Sequence, residues 1–230
     1  MMRNWFILIA ISAWFCACAH AAPPARVEID YDVLRNESTI AEVTDRFEHD
    51  GKSYRLVEEW HGKGLFALLG GITRTSSGTL GSGALRPLEF SDVRTGRDSV
   101  RAMFDWAYWK LKLEANGTIR TQPMPAHAQD KLSMLYAFAF DRPGAAPVSI
   151  NATDGKGVSH YVFEVAGRQE IATPAGQFDA LRLVKRKDGP DDHGTEIWLA
   201  RAHGYLPMRV LITDKDGTRI DQVVTRITTP

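Results

Sequence analysis

The sequence predicts a mainly β protein: a single antiparallel sheet curled into a roll or open barrel around one buried helix at about residues 128–141. Three observations carry this. Asn-Gly or Asp-Gly pairs recur along the chain, at Asp50-Gly51, Asn116-Gly117, Asp154-Gly155, Asp188-Gly189 and Asp216-Gly217. These residues accept the positive φ of a tight turn, and next to alternating strands they are the strongest local hairpin signal. Apolar and polar residues alternate beside the turns, as in a sheet with one wet face. One segment, residues 129–140, departs from that rule: it lacks Gly and Pro and is apolar on nearly every side after Ser133.

The elements follow in order. Val27, Ile29, Tyr31 and Val33 alternate with Glu28, Asp30 and Asp32, which predicts a first strand. Residues 64–72, from Gly64 to Ile72, are apolar on both faces and read as the wall of a hydrophobic cavity or a central strand bent at its glycines. Residues 103–111 read as one strand. Met103, Asp105, Ala107, Trp109 and Leu111 take one face, and Phe104, Trp106 and Tyr108 take the other. Such a strand is buried on both sides, or has core on one side and an aromatic binding strip on the other.

The helix at about 128–141 follows Pro125 and stops at Pro143-Gly144, with Asp130 at its positive end. A helix apolar all round is buried all round. Later strands carry Tyr161, Phe163 and Val165, then Trp198 between Ile197 and Leu199, then Met208, Val210 and Ile212. Segments of this kind number about ten to twelve. No repeat or linker interrupts them, so residues 22–230 read as a single β-rich domain.

Residues 1–21 read as a signal peptide. Arg3 and Asn4 precede an apolar run from Trp5 to Ala19, and Ala19-His20-Ala21 supplies small residues at a cleavage site. The run is too short to favour a spanning helix, and no later stretch reaches the roughly 18–20 apolar residues of one. Export to the periplasm is therefore expected, with lipidation at Cys18 as the alternative. Both cysteines, Cys16 and Cys18, lie inside the leader. Cleavage after Ala21 then leaves no thiol for a disulfide, a nucleophile or a metal. The chain carries 28 basic and 28 acidic residues, interspersed throughout. That balance argues against nucleic acid, whose phosphates call for a basic excess.

A family resemblance rests on an ordered set of motifs. These are Gly64-Leu65, Thr73-Arg74-Thr75, Leu85-Arg86-Pro87-Leu88-Glu89-Phe90, Phe104-Asp105 and Gln129-Asp130-Lys131-Leu132-Ser133. The small residues Ser76-Ser77-Gly78, the pair Leu135-Tyr136, Thr173-Pro174-Ala175-Gly176-Gln177-Phe178, Ile197-Trp198-Leu199 and Tyr205-Leu206-Pro207 complete the set. The chain resembles a family of bacterial exported proteins, domain of unknown function 3108. The resemblance implies a Gram-negative envelope location and a β-rich fold. It implies no activity and no catalytic residues.

Few residues carry recognisable chemistry. The histidines after the leader form no His-x-His or His-Glu-x-x-His group, so neither a metal nor a cofactor is expected. Asp191-Asp192-His193 reads as a solvated loop, and Ser82 lacks the elbow of a serine nucleophile. Charges on apolar faces are more informative. Alternation puts Arg86 with Leu88 and Phe90, and Asp105 with Met103 and Leu111, while Asp130 heads the helix. A charge on an interior face needs a partner, so Arg86 is expected to be buried and paired with Asp105 or Asp130.

The candidate ligand-binding residues are therefore Arg86, Asp105, Asp130, Trp106 and Tyr108. The function they predict is non-catalytic binding of an amphipathic or polymeric envelope ligand: a lipid, glycan or peptide. One alternative is an envelope hydrolase using carboxylates such as Asp105 and Asp130. The other is a structural or assembly factor that binds an envelope protein.

Overall fold

The computed structural model describes residues 23–229, apart from Ser82 and the side chain of Leu69. The leader and Cys18 lie outside the described residues. Fifteen strands form one sheet. They are β1 (Arg26–Arg35), β2 (Ser38–His49), β3 (Ser53–Gly62), β4 (Ile72–Gly81), β5 (Ala84–Arg94), β6 (Val100–Asp105), β7 (Lys110–Ala115) and β8 (Thr118–Pro123). The rest are β9 (Ala128–Asp130), β10 (Val148–Thr153), β11 (Val158–Thr173), β12 (Gly176–Lys185), β13 (Gly194–Ala200), β14 (Leu206–Thr213) and β15 (Arg219–Thr228). One helix, α1 (Ser133–Phe140), lies between β9 and β10.

Across the sheet the order is β8 to β1, then β15 down to β9. Neighbours are antiparallel except β9 and β10, which run parallel. The sheet is therefore two meanders joined where β1 meets β15. It is not closed: β8 and β9 are its two edges. All five Asp-Gly or Asn-Gly pairs fall in turns between successive paired strands, as expected. Asn116 and Gly117 both take positive φ, 51° and 69°, the conformation that a two-residue hairpin turn demands.

Alternation sets the core. In β1, Val27, Ile29, Tyr31 and Val33 are buried, and in β2 Ala41, Val43 and Phe47. A second group, Phe163, Leu183, Ile197, Leu199 and Val210, joins Met134 and Phe138 of α1. No residue of α1 is exposed; each is buried or half-buried. The helix packs on β5 and β14. Strand β9 reaches back to β5, where Gln129 Nε2 donates to the Leu85 carbonyl at 2.9 Å.

Four expectations need correction. The strands number fifteen rather than about ten to twelve. The helix does not span 128–141. Residues 128–130 pair with β10, and Asp130 and Ser133 then start the helical turn reciprocally: Asp130 Oδ1 accepts the Ser133 N–H at 2.8 Å, and the Asp130 N–H reaches Ser133 Oγ at 2.9 Å. This is capping-box geometry with a serine in the fourth place. Residues 103–111 are not one strand but a hairpin whose turn, 106–109, contains no glycine; Trp109 supplies the positive φ, 52°. Residues 64–69 are neither cavity wall nor strand. They form a 3₁₀ turn, Gly64–Leu69, on which Leu65 and Leu68 are 84% and 85% exposed.

Candidate functional site: a charged row beside an apolar cleft

Four adjacent strands each place one ionisable side chain in the same inward row. Asp45 of β2 faces Glu58 of β3, Glu58 faces Arg74 of β4, and Arg74 faces Asp92 of β5. All four are buried. Arg74 joins the row: Nη1 donates to Glu58 Oε2 at 2.5 Å and Nε to Asp92 Oδ2 at 3.1 Å. Arg94 adds two bonds to Asp92, and Trp60 Nε1 donates to Glu58 at 2.5 Å. The Arg74 guanidinium also lies 5.4 Å from the Trp60 ring centroid. A buried cation needs this much, because desolvation is offset only by close, hydrogen-bonded partners.

Asp45 is the member of the row without a cation beside it. Burial pushes its carboxyl well above the ordinary range, and the neighbouring Glu58 charge pushes the same way. Tyr136 Oη of α1 donates to Asp45 Oδ2 at 2.9 Å, while Oδ1 has no hydrogen-bond partner. Two carboxylates directly opposite on neighbouring strands repel. A protonated Asp45 relieves that repulsion. Asp92 behaves oppositely: burial alone would raise it, but hydrogen bonds and charge from Arg94 and Arg74 outweigh burial and hold it low.

Glu58, Trp60 and Arg74 form one wall of a cleft of about 620 Å³. Its other walls come from α1 (Met134, Leu135), from β10 and β11 with their connecting turn (Ala152, Lys156, Val158, Tyr161) and from β13 to β15 (Thr195, Val210, Ile212, Ile220). The lining is largely apolar, with charged groups spread around it: Glu58 and Arg74 on one wall, Lys131 beside α1, and Asp154 and Lys156 in the β10–β11 turn. Lys131, in the turn between β9 and α1, keeps an exposed side chain, yet the protein around the concavity pushes its pKa down, first by desolvation and then through the charge on Arg74. Among the described residues no carboxylate lies within salt-bridge distance of its ammonium. Glu58 and Asp154 act on it only at longer range.

Asp130, the residue before Lys131, is fully buried. Oδ1 accepts the N–H groups of Leu132 and Ser133, and Oδ2 accepts Ser76 Oγ at 2.5 Å. Ser76 Oγ in turn is 3.0 Å from Tyr54 Oη. Burial dominates these hydrogen bonds and raises the carboxyl to about 6. The residue joins β9, α1 and β4.

The other residues expected from the sequence lie on the outer surface. Arg86 is exposed rather than buried and pairs with neither Asp105 nor Asp130; its guanidinium lies over the Trp106 ring, 5.6 Å from the centroid. The register explains this. A bulge sets Ser77 opposite Glu89 but Gly78 opposite Pro87, leaving Leu88 as the extra residue. Alternation therefore changes phase, so Leu85 and Pro87 point inward before the bulge, and Phe90 and Asp92 after it. Asp105 is exposed too, and Oδ1 accepts the N–H groups of Ala107 and Tyr108 to shape the hairpin turn. Trp106 Nε1 donates to the Pro87 carbonyl at 2.7 Å and its ring meets Trp109 edge-on, while Tyr108 is 75% exposed. Arg86, Asp105, Trp106 and Tyr108 thus share one surface, and Asp130 sits apart from them inside the molecule.

Among the described residues no three His, Cys, Asp or Glu side chains are placed to hold a metal ion. Asp192 is taken up by Lys185, at 2.7 Å, and by the N–H of Asp188. No helix of the described residues is long and apolar enough to cross a membrane.

Residues 26–224 match the model of a family of proteins of unknown function, DUF3108. The chain belongs to that family. Among solved structures, this DUF3108 chain is similar to a β-barrel-like protein of domain of unknown function DUF1849 from Brucella abortus. The TM-score is 0.59 at 9% identity, over 90% of this chain and 99% of that one. At that identity the likeness concerns the fold alone. A protein of YmcC-like fold from Bacteroides fragilis, described as exported, gives a TM-score of 0.43 at 12% identity over 92% and 100% of the two chains. One from Parabacteroides distasonis, described as a lipoprotein, gives 0.37 at 11% over 89% and 97%. No curated protein matches the sequence.

Glu58, Arg74, Asp92 and Lys131 escaped the sequence reading. A usable signal was present in three of them: Glu58 between Leu56 and Trp60, Arg74 two residues before Ser76, and Asp92 two after Phe90 all stand in the inward phase of their strands. The same criterion selects Arg86 when alternation is continued across the bulge without its change of phase.

Proposed function

We propose that this DUF3108 protein is an exported, non-catalytic binder of an amphipathic envelope ligand with an apolar body and an anionic group. The sheet wraps around α1 in this reading, and the ligand lies in the cleft between the helix and the two meanders. One observation carries it: Lys131 presents an ammonium without a carboxylate partner to a cleft whose other walls are mostly apolar. An unpaired, partly desolvated cation gains from an incoming anion. The signal-peptide layout of residues 1–21 supports export. The carboxylates of the hydrolase alternative, Asp105 and Asp130, lie on the outer surface and in the core, so they do not form a pair.

The test uses a C16 fatty acid and the alcohol of the same length, titrated against protein purified from cells expressing the full chain. The expected result is preference for the acid by about tenfold or more. Lys131→Gln should lose that preference while still binding the alcohol. Affinity for the acid should fall at alkaline pH, because the lowered Lys131 pKa brings deprotonation closer to the working range. Absence of binding to either probe, or an unchanged preference in Lys131→Gln, would sink the proposal.

A second reading concerns the turn bearing Arg86, Asp105, Trp106 and Tyr108. Tyr108 and Trp109 are 75% and 54% exposed, and exposed flat rings beside an arginine suit stacking on a sugar. Quenching of tryptophan fluorescence by cell-wall oligosaccharides, absent in Trp109→Ala, would support it; no quenching would dismiss it.

A further inference from the structure

The 3₁₀ turn Gly64–Leu69 breaks the economy of the fold. Residues 64–72 contain no charged or polar side chain, yet Leu65, Phe66 and Leu68 are 84%, 37% and 85% exposed. Such exposure of large apolar groups is informative when it is contiguous. The turn is built to hold it. Gly62 lies so close to the Phe66 carbonyl that a Cβ there would approach to 2.3 Å, and a Cβ on Gly70 would meet Thr95 at 2.4 Å. The base is tied on both sides: the Lys63 N–H donates to the Ile40 carbonyl at 2.8 Å, and the Thr95 N–H to that of Gly71 at 3.1 Å. The apolar tip is thus fixed outward.

Its position matters as much as its composition. Trp60 pairs with Ile72 as the last rung before the turn, and Trp60 with Arg74 lines the cleft. The tip therefore connects two strands that wall the cleft, although none of the described side chains of residues 64–69 lines it.

We infer that this tip inserts into the interfacial layer of a lipid bilayer and brings the cleft to the membrane surface. Shape selects the partner. Three side chains on one short convex turn fall well short of the about 800 Å² per partner that a stable protein interface buries. A bilayer interface, in contrast, accepts a narrow apolar protrusion and gains from each buried methylene. The cleft adjoining the tip has the lining that suits a membrane-derived amphiphile. Identification of that cargo rests on the binding function proposed above; insertion of the tip does not. With three large exposed apolar side chains among the described residues of the tip, the attachment is weak and reversible, as a shuttle or sensor of membrane lipid requires.

Flotation with phosphatidylethanolamine/phosphatidylglycerol vesicles tests it, using protein purified from cells expressing the full chain. The wild-type protein should float with the vesicles. Leu65→Asp combined with Leu68→Asp should reduce the bound fraction by about tenfold, while the thermal transition stays within a few degrees because both side chains are exposed. Leu65→Trp should restore binding in the Leu68→Asp background and show a blue-shifted emission on vesicles. Wild-type protein that stays in solution, or a double variant that floats equally well, would overturn the inference. A double variant that loses self-association in sedimentation while its flotation is unchanged would also overturn it, in favour of a second copy of the chain. Fatty-acid binding in vesicle-free solution should be unaffected by the tip variants. Its absence in the wild type would remove the cargo reading and leave the flotation result to stand alone.

Discussion

At the scale of single residues, Asp130 shows how a buried carboxyl can be both structural and costly. Its oxygens satisfy two backbone N–H groups and a serine, which a neutral acceptor could do as well. Burial lifts its pKa from 3.8 to about 6. A raised folded pKa means that the contribution to stability is complete below about pH 4 and is lost as pH rises through about 6. The loss amounts to about 3 kcal/mol, at 1.36 kcal/mol per unit. Asp130→Asn should therefore be as stable as the wild type or more so at pH 7, and should flatten the wild-type decline between pH 4 and 6. Asp130→Ala strands two N–H groups and Ser76, and should cost about 2–4 kcal/mol at pH 7. Urea denaturation at pH 4.5 and pH 7 separates the three proteins. An Asn variant that is several kcal/mol weaker at pH 7 would mean that the negative charge itself is needed.

Among the elements, α1 and the β4–β5 bulge decide most of the interior. Phe138 is 1% exposed and meets the Phe163 ring edge-on at 6.0 Å, whereas Leu135 is half-buried on the cleft. Phe138→Ala should cost about 3–5 kcal/mol and Leu135→Ala much less. Denaturation midpoints in the reverse order would contradict the orientation of the helix. At the bulge, a Cβ on Gly78 would come within 2.1 Å of the Arg86 carbonyl oxygen, a backbone atom that cannot swing aside. Gly78→Ala should therefore be among the most damaging small substitutions, and recovery of soluble protein would measure it.

These elements also mark where the sequence could be read and where it could not. Hairpins closed by Asp-Gly or Asn-Gly are local events, and all five were legible. The turn at 106–109 was not, because Trp109 rather than glycine adopts its left-handed residue. The short strand β9 was hidden because its identity comes from pairing with β10, about twenty residues away, while its composition suits a helix. Residues 64–69 defeated the reading for a different reason. An apolar run carries the same pattern whether it is buried or held in solvent, and only the close approaches at Gly62 and Gly70 decide between them. The site suffered most. Four charges on four strands become one row only through inter-strand register, and a single bulge moved Arg86 from the expected inner face to the outer one.

Across the whole molecule, the first and last strands meet in the middle of the sheet. Glu28 lies opposite Thr228 and Arg35 opposite Ile220, while Arg226 bonds Asp30 at 2.7 Å and the Asn36 N–H bonds the Arg219 carbonyl at 3.0 Å. Removal of residues 219–228 should leave the meanders β1–β8 and β9–β14 without a shared strand. Cooperative unfolding should then be lost, and a truncated protein with a single sharp transition near that of the wild type would contradict this. The same seam has a consequence in time. A chain delivered from its N-terminus makes β1 well before β15, so one flank of β1 stays open until β15 arrives. During that interval the open flank fits the β15 of any neighbouring copy as well as its own. Crowded delivery should accordingly favour strand-exchanged dimers, and dilute delivery the monomer.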